Sequence, residues 1–240
     1  MNRPVAAETF YWFDYETFGR SPRWDRPAQF AGQRTDLALQ PIGEPDTFHC
    51  RLSDDYLPDP EACRITGISP DTVQADGLCE ARFIERVVAH LGAPGTVSVG
   101  YNSIRFDDEF TRHTLFRNLH EPYGQDWRDG ASRWDLLDVV RLTRALRPDG
   151  LRWPVDEDGR PRNTLEALAA ANGVGHSRAH DALSDVEATL GLARALRAAQ
   201  PRLFDWLLDH RGKGAAAELL DTGRRVAVLL ASSRVPREHH

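Results

Sequence analysis

The chain has 240 residues, 41% of them hydrophobic and 28% charged, with a net charge of −6; this supplies one globular core and a fragment of a second domain. No stretch is long and apolar enough to span a membrane, and MNRPVAAETF has no signal-peptide core. The three cysteines, Cys50, Cys63 and Cys79, lack CxxC spacing, which argues against a disulfide framework or a structural zinc and makes the cytoplasm the expected compartment. The acid excess counts only weakly against a nucleic-acid partner, because an acidic metal site and a clustered basic face can coexist. Of the 30 basic residues all but Lys213 are arginine, a type suited to bidentate phosphate contacts, although a GC-rich coding bias produces the same skew.

In chain order, the aromatic run at 9–16 predicts a buried strand, and 28–36 and 45–52 predict two more across the Pro41–Gly43 turn, together an antiparallel three-strand meander. The Pro-rich stretch SDDYLPDPEACRITGISPDT reads as a structured loop. Residues 80–92 have a helical apolar stripe ended by Gly92 and Pro94. TVSVGYN (96–102) is a short strand, and 107–119 and 133–148 are helices. A polar, turn-forming segment at 151–163 leads to helices at 164–172 and 181–199. Strands first, then helices interleaved with a further strand, make an α/β domain with a mixed sheet over 1–200. After Pro201 come a helix, an ambiguous GKGAAAELLD and a strand-like RVAVLLASSRVP, so 201–240 reads as the start of a second, β-rich domain.

The chemistry lies in separated acids. Asp14 and Glu16 end the first strand, and alternate strand residues share a face, so the two carboxylates converge. Asp107 follows the strand TVSVGYN, and Asp185 lies in the first turns of the long helix, five residues after His180. That spacing turns through about 500° on a helix, which places His180 in the loop ahead of it. Four carboxylates form the oxygen-rich set preferred by Mg²⁺ or Mn²⁺, and two such ions about 4 Å apart can hold both oxygens of a phosphodiester exchange. A histidine near neutral pKa can deprotonate the attacking water. Each residue alone also has a plain reading: a solvated strand end, an acidic helix N-terminus, a surface histidine. Their joint occurrence in this order is poorly explained that way.

The order D-x-E, N-x-x-x-F-D, H-x-x-x-x-D resembles the DEDD 3′→5′ exonucleases of the histidine subtype, which have a ribonuclease H-like fold. DYETFG, DRPAQFA, YLPDPEACRITGI, GYNSIRFDDEFTR, SRWDLLDVVR, ALRPDGLRWP and AHDALSDVEATL further resemble the exonuclease I family over roughly residues 9–210. The resemblance implies hydrolysis of single-stranded DNA from its 3′ end to 5′-mononucleotides, with a role in DNA repair. It implies that Asp14, Glu16, Asp107 and Asp185 bind two Mg²⁺, that Mn²⁺ can substitute, and that His180 is the general base. It also implies that Glu16 and Thr17 lie by the terminal nucleotide and that Thr66, Arg112, Tyr123, Trp127, Arg141 and Arg147 line the DNA path. Where the family has a basic residue before the L-E of a helix, this chain has Thr164, with Arg162 two residues earlier, so that either substrate affinity suffers or Arg162 substitutes. Family members continue past residue 240 into domains that close over the DNA and meet single-strand-binding protein, so 201–240 is expected to open a truncated second domain in a monomeric enzyme. Two alternatives stay open: an RNA 3′-end trimming enzyme with the same site, or an inactive single-strand-binding remnant.

Overall fold

A computed structural model describes residues 8–175, 181–220 and 223. Five strands, β1 (Thr9–Thr17), β2 (Pro27–Thr35), β3 (Asp46–His49), β4 (Thr96–Gly100) and β5 (Ser132–Asp135), form one sheet in the order β3-β2-β1-β4-β5. β1 pairs antiparallel with β2, and β2 with β3, which is the meander expected from the sequence. On its other edge β1 pairs parallel with β4, and β4 with β5, so the sheet is mixed.

Alternation along β1 divides its side chains between two cores. Tyr11, Phe13 and Tyr15 pack on one face with Phe30, Phe48 and helix α3 (Glu80–Leu91), whose buried stripe is Phe83, Ile84, Val87 and Leu91. Phe10 and Trp12 point the other way, into a core shared with Val97, Val99, Val140, Leu192 and Leu196. Helices α5 (Leu136–Leu146), α6 (Leu165–Ala171), α7 (Ala182–Ala199) and α8 (Pro201–Asp209) supply that second core. Asp14 and Glu16 continue the even-numbered series and so emerge on the face covered by α7.

Two expectations are corrected. The stretch read as loop contains α1 (Pro60–Thr66) and α2 (Pro70–Asp76), each with proline in its first turn and a capping side chain, Asp59 and Ser69. The prolines that suggested loop are helix starters here, since the first-turn N–H needs no intrahelical partner. The helix predicted from 133 begins at Leu136, because 132–135 form β5 at the sheet edge and Asp135 caps α5 by accepting from the Leu137 N–H at 3.0 Å. A four-residue strand running straight into a helix leaves too little period-2 pattern to read. Helix α4 (Asp107–Arg117) and the remaining elements lie close to their expected bounds.

The segment 213–219 is helical (α9, Lys213–Leu219), whereas the strand expected at 225–236 lies outside the described residues. The expected boundary at residue 200 falls between α7 and α8, and α8 joins the main core through Phe204 and Leu207. The Phe204 ring meets Trp134 of β5 edge-on, with centroids 5.0 Å apart. Phe204→Ala is expected to cost about 3–5 kcal/mol in denaturant unfolding. Leu57→Ala, at a position 88% exposed, should change stability by less than about 0.5 kcal/mol.

Candidate metal centre

The C-terminal half of β1 delivers Asp14 and Glu16 to one side of the sheet, and the first turn of α7 brings Asp185 to meet them. One carboxylate oxygen from each of the three lies within 4.8 Å of the others. Helix α7 is registered on the sheet at its first residue, where the Ala182 N–H donates to Gln29 Oε1 of β2 at 3.4 Å, and Asp181 caps the helix through the Ser184 N–H at 3.1 Å. Asp107 opens α4, and its Oδ1 accepts from the backbone N–H of Tyr15, between Asp14 and Glu16, at 3.2 Å. All four acids line one pocket of about 330 Å³, together with Thr17, Thr66, Arg20, Tyr101, Asn102 and Phe106.

The electrostatics oppose leaving these acids ionised together. Desolvation, followed by repulsion from Asp107, Asp185 and Glu16, holds the Asp14 carboxyl well above the usual carboxylate range. Glu16 is pushed up to about 8 by burial and then by Asp185 and Asp181. Asp107 is raised by burial and by its neighbour Asp108. Among the described residues no Arg, Lys or His pairs with Asp14 or Glu16. An all-oxygen donor set, converging and, among the described residues, without a cationic side chain to neutralise Asp14 and Glu16, fits a hard divalent cation.

The loop that carries Asp107 is fixed from below. Asp135 accepts from the Asn102 N–H at 2.8 Å and the Ile104 N–H at 3.2 Å, in addition to capping α5. Asn102 adopts a left-handed backbone (φ 63°), a conformation asparagine tolerates better than most residues. Neither Asp135 nor Arg20 was singled out in the sequence. An N-cap aspartate directly before an apolar helix was the available signal for the first, and an arginine three residues beyond a ligand strand signals nothing by itself.

The other expected site residues divide into groups. The Thr17 hydroxyl donates to the Gly19 carbonyl at 2.7 Å, and the Thr66 hydroxyl accepts from the Ile68 N–H at 3.2 Å; both face the acidic pocket. Arg112 pairs with Glu109 and, at 2.8 Å, with Asp126, and it lies over the ring of Tyr123. Its guanidinium is mostly buried, so it braces the turn that displays Tyr123 and Trp127, both exposed. Arg141 pairs with Asp138 at 3.0 Å on α5, while Arg147 and Arg162 are exposed and line neither the pocket nor the groove beside it. Thr164 caps α6, its hydroxyl accepting from the Ala167 N–H at 3.3 Å, which accounts for a hydroxyl residue there. His180 lies outside the described residues.

Comparison with known proteins agrees with this geometry. The family described as Exonuclease (RNase T) matches residues 11–193. Exodeoxyribonuclease I of Haemophilus influenzae is 49% identical over 219 residues, 91% of this chain and 46% of that protein. Exonuclease I of Methylocaldum szegediense superposes with a TM-score of 0.92 at 55% identity, covering 97% of this chain and 49% of the other. Escherichia coli exonuclease I in complex with a dA16 oligonucleotide gives a TM-score of 0.88 at 50% identity, covering 90% of this chain and 46% of that one. The E. coli protein has also been solved in a zinc-bound form with single-stranded DNA. The chain thus spans about half the length of the curated relatives it matches. The expected fold is borne out: this is the ribonuclease H-like sheet of those exonucleases, and the chain belongs to the RNase T exonuclease family.

Proposed function

We propose that this chain carries the catalytic domain of a metal-dependent 3′→5′ exonuclease that releases 5′-mononucleotides from single-stranded DNA. The observation that carries the reading is the convergence of Asp14, Glu16 and Asp185, with Asp107 in the same pocket, on a family-matched sheet. Oligonucleotide complexes of similar proteins support the substrate class. Asp14, Glu16, Asp107 and Asp185 would hold two Mg²⁺, with Mn²⁺ able to substitute. When bound, these ions supply Lewis-acid polarisation of the phosphodiester and positive charge for the departing 3′ oxygen.

The protein's own groups do the rest. Asp14 and Glu16 stand on a strand paired with β2 at both positions and with β4 over its first half, so little reorganisation of these two accompanies metal binding. Thr17 and Glu16 lie at the pocket wall where the terminal sugar would rest, and Thr66 faces them from the end of α1. His180 would accept the proton of the attacking water at an imidazole nitrogen. Tyr123 and Trp127 offer exposed rings on which unpaired bases stack without regard to sequence. Arg141, Arg147 and Arg162 would meet phosphates farther along the strand.

A time course on 5′-labelled single-stranded DNA, with Mg²⁺ or EDTA and beside matched RNA and duplex, tests the reading directly. The expected result is a Mg²⁺-dependent ladder shortening from the 3′ end on single-stranded DNA; shortening of RNA alone would reassign the substrate. Asp14→Asn and Asp185→Asn should each lower the rate at least about a thousand-fold. His180→Ala should lower it about 10²–10⁴-fold with metal binding retained by calorimetry.

The metal-free chain should also show an inverted pH response. Asp14 and Glu16 have folded-state pKa values above their unfolded ones, so their contribution is complete below about pH 4 and is lost as pH rises, for Glu16 through about pH 8. In EDTA the melting temperature is therefore expected to fall between pH 5 and pH 8. Mn²⁺ should raise it most at pH 8, where deprotonated ligands cost least. Asp14→Asn should be more stable than the parent in EDTA at pH 8 and should respond less to Mn²⁺.

A further inference from the structure

A second groove, of about 530 Å³, lies beside the acidic pocket, between the β1–β2 turn and the outer face of α4. Its walls include Arg23, Trp24, Arg112, Phe116 and Tyr123. Trp24 is 66% exposed, Phe116 71% and Tyr123 54%. A single exposed aromatic needs no explanation, but three facing one concavity of a size that suits a small ligand do. The Arg23 guanidinium covers one face of Trp24 at 4.8 Å, and Arg112 covers one face of Tyr123 at 5.1 Å. Both rings nevertheless remain more than half exposed.

The turn that presents Trp24 is rigid. The N–H groups of Trp24 and Asp25 both donate to the Ser21 carbonyl, at 3.0 and 2.7 Å. The Asp25 carboxylate accepts from the Ser21 N–H at 2.7 Å and from the Tyr56 hydroxyl at 3.0 Å. Asp25 also packs so closely on Gly19 that a Cβ there would stand 2.2 Å from the carboxylate. A large apolar ring held out in water by such a turn contributes little to folding, and its fixed position lowers the entropy cost of binding. The same turn lines both cavities, Arg20 in the acidic pocket and Arg23 with Trp24 in the groove. Helix α4 does likewise, from Asp107 in the pocket to Phe116 in the groove, about 13 Å along its axis.

We propose that this groove is a single-strand stacking site, in which Trp24 takes an unpaired base upstream of the terminal nucleotide held at the acids and Arg23 meets the adjoining phosphate. Arg26 and Arg117 are committed to Glu80, at 3.2 and 3.1 Å, and Arg112 to Asp126, so they form the floor. Arg23 has no carboxylate partner among the described residues and is the cation left for a phosphate. Arginine and aromatic rings together, on a turn and a helix that also line the acidic pocket, select a single-stranded nucleic acid over an apolar peptide. The inference rests on the nuclease reading above.

The test is equilibrium binding of 5′-fluorescein-(dT)15 in EDTA, read by anisotropy, to the 240-residue chain and its variants. Trp24→Ala should weaken binding about tenfold, and Trp24→Phe should recover most of that loss. Arg23→Ala should lower the salt dependence of binding by about one phosphate contact. Unchanged affinity in Trp24→Ala, a Trp24→Phe chain as weak as the alanine variant, or no binding by the parent chain would overturn the proposal. Binding is read without cleavage, so a parent chain that binds through Trp24 but fails to shorten DNA in Mg²⁺ counts against the nuclease reading alone.

Discussion

The structure is organised around a repulsion. Four carboxylates are brought to one small pocket, and their mutual repulsion and desolvation favour protonation or separation. They stay in place because each is mounted on something that cannot yield. Asp14 and Glu16 are fixed by the alternation of a nine-residue strand whose other residues fill two aromatic cores. Asp107 is tied to that strand by the Tyr15 N–H, and Asp185 rides on a helix registered against β2. The heavy aromatic investment in β1, with Phe10, Tyr11, Trp12 and Phe13 all buried, anchors a cluster that would otherwise open the sheet.

Much of this was legible in the sequence because it is local and periodic. The even spacing of Asp14 and Glu16 behind an aromatic run specifies a shared face by the geometry of a strand alone. The helix stripe at 80–91 needs only the 3.6-residue repeat. The failures came where a motif admits two local structures. Proline after Asp59 or Ser69 marks a loop or a helix start, and only the capping bond distinguishes them. The strand Ser132–Asp135 is short, and its identity comes from pairing with β4, a partner more than thirty residues away in the chain.

Site residues followed the same division. The acids could be named because strand and helix positions fix where their side chains go. Arg112 could be named but not assigned: its ion pair with Asp126 comes from a turn fourteen residues away and makes it a brace for Tyr123. Asp135 escaped notice because its importance lies in accepting three backbone N–H groups, two of them from the 102–104 turn, and backbone partners leave no trace in composition. Trp24 reads as an ordinary loop residue until the turn around it is seen to be closed by Asp25 and Tyr56.

The central position of β1 has a consequence for how the molecule fluctuates. Its backbone is hydrogen-bonded to β2 along nearly its whole length and to β4 over its first half. Backbone amides in such a strand exchange with solvent only through the largest, rarest openings, whereas the outlying β3 and the exposed turns open far more often. Asp14 and Glu16 therefore stand on the segment that is last to come apart. Partial openings of the outlying turns can occur many times while the two acids of β1 keep their register.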